Sequence, residues 1–442
     1  MDNRRNFIKK TAAGSVGLAA GSLLMPNSVL GNVLGASDKL QVAVIGVRSR
    51  AKGLISSINQ IKNVKIKYSV DVDKNILKEH NAWCEKNIGY VPKNETDFRK
   101  VLDDKDIDAI FVVTPEHWHA PMAIAGMQAG KHVYVEKPCS HNLFENDLIV
   151  KVQKKTGMVC QMGNQQRSGK SSIQAIQEIR EGVIGDVYKG EAYYNSNRES
   201  IGKGKVVPVP DYLDWELFQG PAPREEYRDN IHPYNWHWFR TWGTGEIHNN
   251  GTHEIDVCRW ALGVDIPKTV SAFGGKYTYD DDWEYADNTH AVFTYDDGKF
   301  ITWNGHSRGK MQPNQPGRGI TIYGSKGVMT LSRNEYRLFD LGGKQIKEVT
   351  EAAKSGTVDK VGGGILTTYH IQNFFDGIRM GTKLNAPIAD GAISSMHCHL
   401  GTISQDLGRT LNINPKNGEI FDDDEAMSFW KREYEPGWEP KL

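Results

Sequence analysis

Apolar and polar positions follow two different rhythms along this chain. Between Leu40 and Gly163, short apolar runs alternate with stretches in which apolar residues return every three or four positions. The runs Leu40–Ile45, Val64–Val70, Ala109–Val113, Val133–Val135 and Met158–Gly163 are short and mostly rich in β-branched residues, so they predict buried strands. The spacing of Leu54, Ile55, Ile58 and Ile61 predicts a helix, as do the stretches 98–102, 119–130 and 143–156, with Gly130 as a C-terminal cap. Buried strands alternating with helices imply an α/β domain built on a doubly wound parallel sheet.

Past residue 164 the rhythm changes. Val187–Asn195, Val270–Tyr279, Thr289–Tyr295, Phe300–Gly305, Gly319–Tyr323, Val328–Ser332 and Tyr336–Leu341 all read as strands, several separated by turn sequences such as Asp296-Asp297-Gly298 and Gly342-Gly343. Hairpin-connected strands predict a large, mostly antiparallel open sheet and an α+β second domain. Amphipathic helices are expected over His370–Arg379 and about Ala392–Leu411. The organisation expected is a targeting segment at 1–36, a nucleotide-binding domain at 37–163, an α+β domain at 164–390, and a C-terminal helix and tail at 391–442 that pack back on the domains.

The first segment reads as an address. Asn3-Arg4-Arg5-Asn6-Phe7-Ile8-Lys9-Lys10 precedes a mildly apolar, Ala/Gly-rich stretch from Thr11 to Met25, which resembles a twin-arginine export signal cleaved near Ala36. The stretch is too short and Gly-rich to span a bilayer, so no stable membrane insertion is expected. A periplasmic location follows, where no pool of free nucleotide cofactor exists; a cofactor used there must be bound tightly and recycled in place. Lys+Arg and Asp+Glu balance at 54 each over 442 residues, and no basic run suggests nucleic acid as a partner. The five cysteines are scattered and form no disulfide framework. His397-Cys398-His399 lacks a second ligand cluster, so no metal site is expected.

Three strand ends carry candidate chemistry. The strand Leu40–Ile45 stops at Gly46, a helix follows, and the next strand ends at Asp71: the β-turn-helix-β-acid layout of a dinucleotide site, hence a Rossmann-type domain. The glycine code is incomplete, because Arg48 and Ala51 stand where GxGxxG needs glycine, and Ser49 and Gly53 are the small residues nearby. Asp71 would accept hydrogen bonds from a ribose diol and repel a 2′-phosphate, which favours NAD over NADP, while Arg48 or Arg50 could meet a phosphate. The strand ending Glu136-Lys137-Pro138 must stop at proline, leaving Lys137 at the edge where open α/β sheets bind ligands.

Thr114-Pro115-Glu116-His117-Trp118-His119, followed by Gly130-Lys131-His132-Val133-Tyr134-Val135-Glu136-Lys137-Pro138, resembles the Gfo/Idh/MocA oxidoreductase family, with its TPxxxH, GKHV and EKP motifs in order. Asp214-Trp215-Glu216-Leu217-Phe218-Gln219-Gly220-Pro221-Ala222-Pro223 resembles a segment of a sugar-directed branch, and the stretch Gly243–Gly263 resembles the region that carries the family's catalytic base. The resemblance implies cofactor contacts from Gly46, Arg48, Ser49, Arg50, Asp71, Thr114, Pro115, His119, Glu136 and Lys137. It also implies an often cis Lys-Pro bond, a lysine touching both substrate hydroxyl and nicotinamide, and His253 as base. The family's aspartate four residues before that histidine is Asn249 here, which can orient a hydroxyl but cannot stabilise an imidazolium by charge. His248 is a second candidate base. A homodimer or homotetramer that covers the open sheet is expected.

Tyr234-Asn235-Trp236-His237-Trp238-Phe239-Arg240-Thr241-Trp242 is unusually aromatic, and flat faces beside polar groups suit a sugar ring. Trp236, Trp238, Arg240, Trp242 and, on the following helix, Asp256 are therefore the candidate substrate contacts; a satellite hydrophobic cluster is the competing reading. The function expected is hydride transfer between NAD and a secondary alcohol of a sugar or glycoside, with His253 taking the proton and Lys137 stabilising the alkoxide. Two readings stay open beside it: an NAD-dependent glycosidase working through transient C3 oxidation and elimination, and a non-catalytic sugar-binding protein.

Overall fold

The computed structural model describes residues 39–309, 317–351 and 364–442; the expected export segment 1–36 lies outside them. The first half alternates β1 (Leu40–Ile45), α1 (Ser49–Ile58), β2 (Val64–Val70), α2 (Lys74–Ile88), β3 (Lys93–Glu95), α3 (Phe98–Asp103), β4 (Ala109–Val112), α4 (His119–Gln128), β5 (His132–Val135), α5 (Leu143–Thr156) and β6 (Cys160–Met162). The six strands form one sheet in the order β3-β2-β1-β4-β5-β6, every pair parallel. The order reverses between β1 and β4, which opens a crevice at their C-terminal ends. Helices cover both faces, so the strands are apolar on both sides: Val42, Val44 and Phe111 face one core, Ala43, Ile45 and Ile110 the other.

Two elements of this half escaped the hydrophobic pattern. β3 is Lys-Asn-Glu and joins the sheet edge through backbone pairing with β2 alone. α2 buries only Leu77, His80 and Cys84, too sparse a stripe to read, and its start is set by a polar device: Asp73 accepts from the amides of Asn75 (2.7 Å) and Ile76 (3.0 Å).

The second half begins with α6 (Lys170–Arg180) and β7 (Val187–Asn195), passes through α7 (Trp215–Gln219), and reaches α8 (Thr252–Leu262). Then follow β8 (Thr269–Gly275), β9 (Asn288–Thr294), β10 (Phe300–His306), β11 (Arg318–Gly324), β12 (Gly327–Leu331), β13 (Glu335–Asp340) and β14 (Gln345–Thr350). α9 (Ile365–Met380), α10 (Ile388–Leu407), β15 (Leu411–Asn412) and α11 (Asp424–Ser428) close the chain. The nine strands order as β14-β13-β12-β11-β7-β10-β9-β8-β15, antiparallel throughout except β7 beside β10. Burial alternates along β10, with Ile301 and Trp303 turned inward onto the core that includes Ile255 and Cys258 of α8 and Leu400 of α10.

α9 begins five residues before the expected His370 and packs Ile371, Phe374 and Phe375 into the core shared with α1, so the chain returns to the first half. The tail returns too: Trp438 meets Trp118 edge-on at 5.3 Å, and Arg432 pairs with the fully buried Glu145 at 2.9 Å.

Trp303 is the largest inward side chain of the central strands and lies directly under Gly251, where an added Cβ would come within 3.3 Å of its ring. Trp303→Ala is expected to lower the unfolding free energy by about 3–5 kcal/mol in urea titration; a loss below about 1 kcal/mol would show that the indole is not packed as described.

Candidate active site

The cleft is built from strand ends. Gly46 follows β1 with φ 83° and donates to Val70 O at 2.8 Å; an added Cβ would sit 2.5 Å from Val113 O. Only glycine lets the β1 turn pass this close to the end of β4. Asp71 ends β2 and accepts from the amides of Val47 (3.0 Å) and Asp73 (3.1 Å). Burial pushes its carboxyl up to about 6 against those donors. Arg50, from the first turn of α1, donates to Glu136 at 2.8 Å, and Gln165 donates to the same oxygen at 3.2 Å.

The turn after β4 is clamped from several sides. Glu116 accepts from the amide (2.7 Å) and hydroxyl (2.5 Å) of Thr244, and Trp118 donates to Leu217 O (3.1 Å) and Phe218 O (3.0 Å). Gly220 of the Gly-Pro-Ala-Pro segment lies on the Trp118 ring, where an added Cβ would overlap it at 1.8 Å. That segment therefore supports the turn after β4. His119 sits between Thr114 O (2.9 Å) and Pro138 O (2.5 Å), a strut between two strand ends.

β5 runs into Lys137-Pro138, whose peptide bond is cis; His232-Pro233 is cis as well. The Lys137 ammonium donates to the backbone oxygen (2.5 Å) and side-chain oxygen (3.0 Å) of Asn249. Burial pushes this lysine down, while Glu116, Glu136 and Glu246 oppose that shift. Asn249 lies in a π-helical turn, Ile247–Gly251, that leads into α8. Such turns re-aim backbone and side chains inside a helix, and here the turn presents both of its oxygens to the lysine.

His253, on the first turn of α8, lines the same cavity. Burial, then Arg333, Lys137, Arg318 and Arg50, hold its pKa well below the ordinary value, so the imidazole is kept neutral and is a weaker base than a free histidine. His248 is turned into the interior, with ring contacts to Thr244 O (2.8 Å) and His399 (3.0 Å), and does not line the cleft.

The cavity is about 420 Å³. It brings together Gly46, Arg48, Ser49, Arg50, Asp71, Thr114, Pro115, His119, Glu136, Lys137, Asn249 and His253. The expected substrate contacts divide differently. Trp236 lines the cavity, stacked on His237 with ring centroids 3.5 Å apart. Trp238 instead stacks on Trp283 at 3.6 Å, fully buried, and Trp242 is fully buried in a satellite core with Trp215, Phe218 and Phe239. Arg240 pairs with Asp406 at 2.6 Å on the surface. Asp256 is buried against Arg167 (2.8 Å) and Ser394 (2.7 Å). These four lie outside the cleft lining: indoles without a polar duty bury fully, and a carboxylate on the inner face of α8 must be paired there.

Glu116, Tyr234, Arg318 and Arg333 line the cavity without having been singled out. Glu116 stands inside the Thr-Pro motif and was legible; the arginines come from the start of β11 and the turn after β12, which the sequence does not connect to α8.

An NAD molecule fits this lining. The Thr114 hydroxyl is buried at the cleft without a hydrogen-bond partner, Gly46 leaves the β1 turn bare, and Asp71 stands where a ribose diol needs an acceptor. Comparison with known proteins agrees. The model of an oxidoreductase family with an NAD-binding Rossmann fold, Gfo/Idh/MocA, matches residues 40–164, and that of the GFO/IDH/MocA C-terminal domain matches 217–330. A Glycosyl hydrolase family 109 protein of Shewanella pealeana is 30% identical over 210 residues, 43% of this chain and 46% of the relative; the chain spans about half the length of the curated relatives it matches. Among solved structures, levoglucosan dehydrogenase with NADH and levoglucosan superposes with a TM-score of 0.65 at 18% identity, over 85% of this chain and 99% of the other. An aldose-aldose oxidoreductase from Caulobacter crescentus gives 0.64 at 17%, over 85% and 100%. At these identities the superpositions establish the fold.

Burial pushes Glu116 up to about 7 from its ordinary 4.5, although Lys137 and Thr244 pull it down. A raised carboxyl contributes stability that is complete below 4.5 and is lost as pH rises through about 7. The stability of the wild type relative to Glu116→Gln is thus expected to fall by about 3 kcal/mol across that window, read from thermal or urea unfolding; a constant difference would contradict the assignment.

Proposed function

The chain belongs to the Gfo/Idh/MocA oxidoreductase family, and from that premise we propose that it moves hydride between NAD and a secondary alcohol of a sugar or glycoside. One observation carries this reading. Lys137 and His253 come from different halves of the molecule, yet line one cavity, with Asn249 holding the lysine from the turn before His253. A carbinol needs one group for its O–H proton and another for the charge left on oxygen, and this pair supplies both.

Bound NAD supplies the hydride acceptor. The neutral His253 takes the hydroxyl proton. Lys137, pinned by Asn249, meets the developing alkoxide without having to reorganise. The cations around His253 disfavour its protonated form, so the proton is passed on readily. Of the five candidate substrate contacts, Trp236 is the one that lines the cavity, and it offers an aromatic face to a sugar ring there.

A second reading, transient oxidation at C3 followed by elimination of the aglycone, draws support from the similarity to glycosyl hydrolase family 109 proteins. Glu116 supports it as well: a carboxyl near 7 beside Lys137 is a spare proton carrier that simple dehydrogenation does not require. The Arg4-Arg5 segment supports export to the periplasm with cofactor inside. The outer face of the nine-stranded sheet supports a homo-oligomer, since Tyr188 and Phe273 stand 47% and 64% exposed there.

Lys137→Met is expected to keep the fold and the bound cofactor while lowering turnover about 10²–10³-fold, followed by the near-ultraviolet absorbance of reduced cofactor during incubation with glycosides. Full activity in that variant would remove the mechanism. Aglycone release by the wild type without accumulation of reduced cofactor would select the second reading.

A further inference from the structure

Lys137 and His253 are joined on one side by Asn249, which accepts from the lysine in the turn that leads into α8. A second connection runs round the other side of the cavity. It starts in the turn after β6, Gln165–Ser168, which is buried along its length. The Gln165 amide donates to the Tyr134 hydroxyl at 2.8 Å and to Glu136 Oε1 at 3.2 Å. Both partners stand on the segment that ends in Lys137, and Gln165 itself lines the cavity.

Two residues on, Arg167 reaches α8. Its Nε donates to Asp256 Oδ2 at 2.8 Å and its Nη2 to Asp256 Oδ1 at 2.9 Å, a paired geometry that fixes direction as well as distance. Asp256 stands three residues after His253, about one turn along the same helix. Its Oδ1 also accepts from Ser394 of α10 at 2.7 Å, and Arg167 Nη1 pairs with Asp390 of that helix. Arg167 is 8% exposed and Asp256 1%, so water does not stand in for either partner when the pair is broken.

These contacts close a ring from Lys137 through Asn249, the first turns of α8, Asp256, Arg167, Gln165 and Glu136 back to Lys137. A helix held only at Asn249 could pivot about that point. The Arg167–Asp256 pair fixes a second point one turn along, and two points set the direction of His253. Arg167 does not line the cavity, so it acts through its partners.

Resting on the oxidoreductase reading above, we infer that Arg167 is a positioning residue for hydride transfer: its paired contact with Asp256 holds the His253 helix in register with the strand end that carries Glu136 and Lys137.

Arg167→Lys keeps the charge and loses the pairing. The probes are the α and β methyl glycosides of glucose, galactose and N-acetylglucosamine, added to the cofactor-loaded protein. For reduction of the bound cofactor, kcat is expected to fall about 10–100-fold while KM moves less than about 3-fold and the cofactor is retained. In a His253→Ala background the same substitution should cost little further, whereas a merely structural contact would cost as much in both. Amide exchange over residues 247–256, read by mass spectrometry without substrate, should rise in Arg167→Lys and stay unchanged over β1 and β2. Asp256→Asn keeps the side-chain shape and leaves Arg167 with Asp390, so it reads the same contact if the lysine variant does not fold, with the same outcome expected. Wild-type kcat, unchanged exchange over 247–256, or an equal loss with and without His253 overturns the inference and leaves the oxidoreductase reading standing. If no probe reduces the cofactor of the wild type, that reading fails and takes the inference with it.

Discussion

A lysine buried at a strand end has to be compensated, and the architecture of this molecule turns on how that is done. The Lys137 ammonium is desolvated, which alone would drive it toward the neutral amine. Two oxygens of Asn249 accept from it, and the surrounding Glu116, Glu136 and Glu246 favour its charged form, so they oppose the downward shift that burial imposes. Glu116 and Glu136 follow β4 and β5, Glu246 caps the π-helical turn before α8 and Asn249 lies in it, so one charge ties the parallel sheet to the second half. Glu246 in turn is held by Arg198 at 2.6 Å, and Glu116 by Thr244. Each carboxylate near the lysine has its own anchor, which keeps the charges from collapsing onto one another.

Much of this was legible in the sequence where the pattern is two-sided. The strands of the parallel sheet are apolar on both faces, so β1, β2, β4 and β5 stood out, and the steps at Gly46, Asp71 and Lys137 marked the cleft edge. Elements that depend on backbone pairing or capping did not stand out: β3 has no apolar residue, and α2 starts on Asp73 and buries little. β14 is an edge strand whose burial pattern never reaches a fully buried residue.

The aromatic run after Tyr234 shows a different limit. Trp236, Trp238 and Trp242 are the same residue type in one short segment, yet one faces the cleft, one stacks on Trp283 and one fills a satellite core. Composition cannot separate these fates, because each buries a flat apolar face. The position of Asp256 had the same ambiguity: helical spacing placed it one turn from His253, but that turn faces Arg167 and Ser394. Arg318 and Arg333 of the cavity lining were hidden for another reason. They are brought to the cleft by sheet topology, from the two ends of the β11–β12 hairpin.

The central claim is that Lys137 acts in the position set by Asn249. A double-mutant cycle tests it most directly, with turnover measured for Lys137→Met, Asn249→Ala and the pair in the cofactor-loaded protein. If the lysine works through this clamp, the double variant is no slower than Lys137→Met alone. Losses that multiply independently would contradict the account and separate the lysine from its clamp.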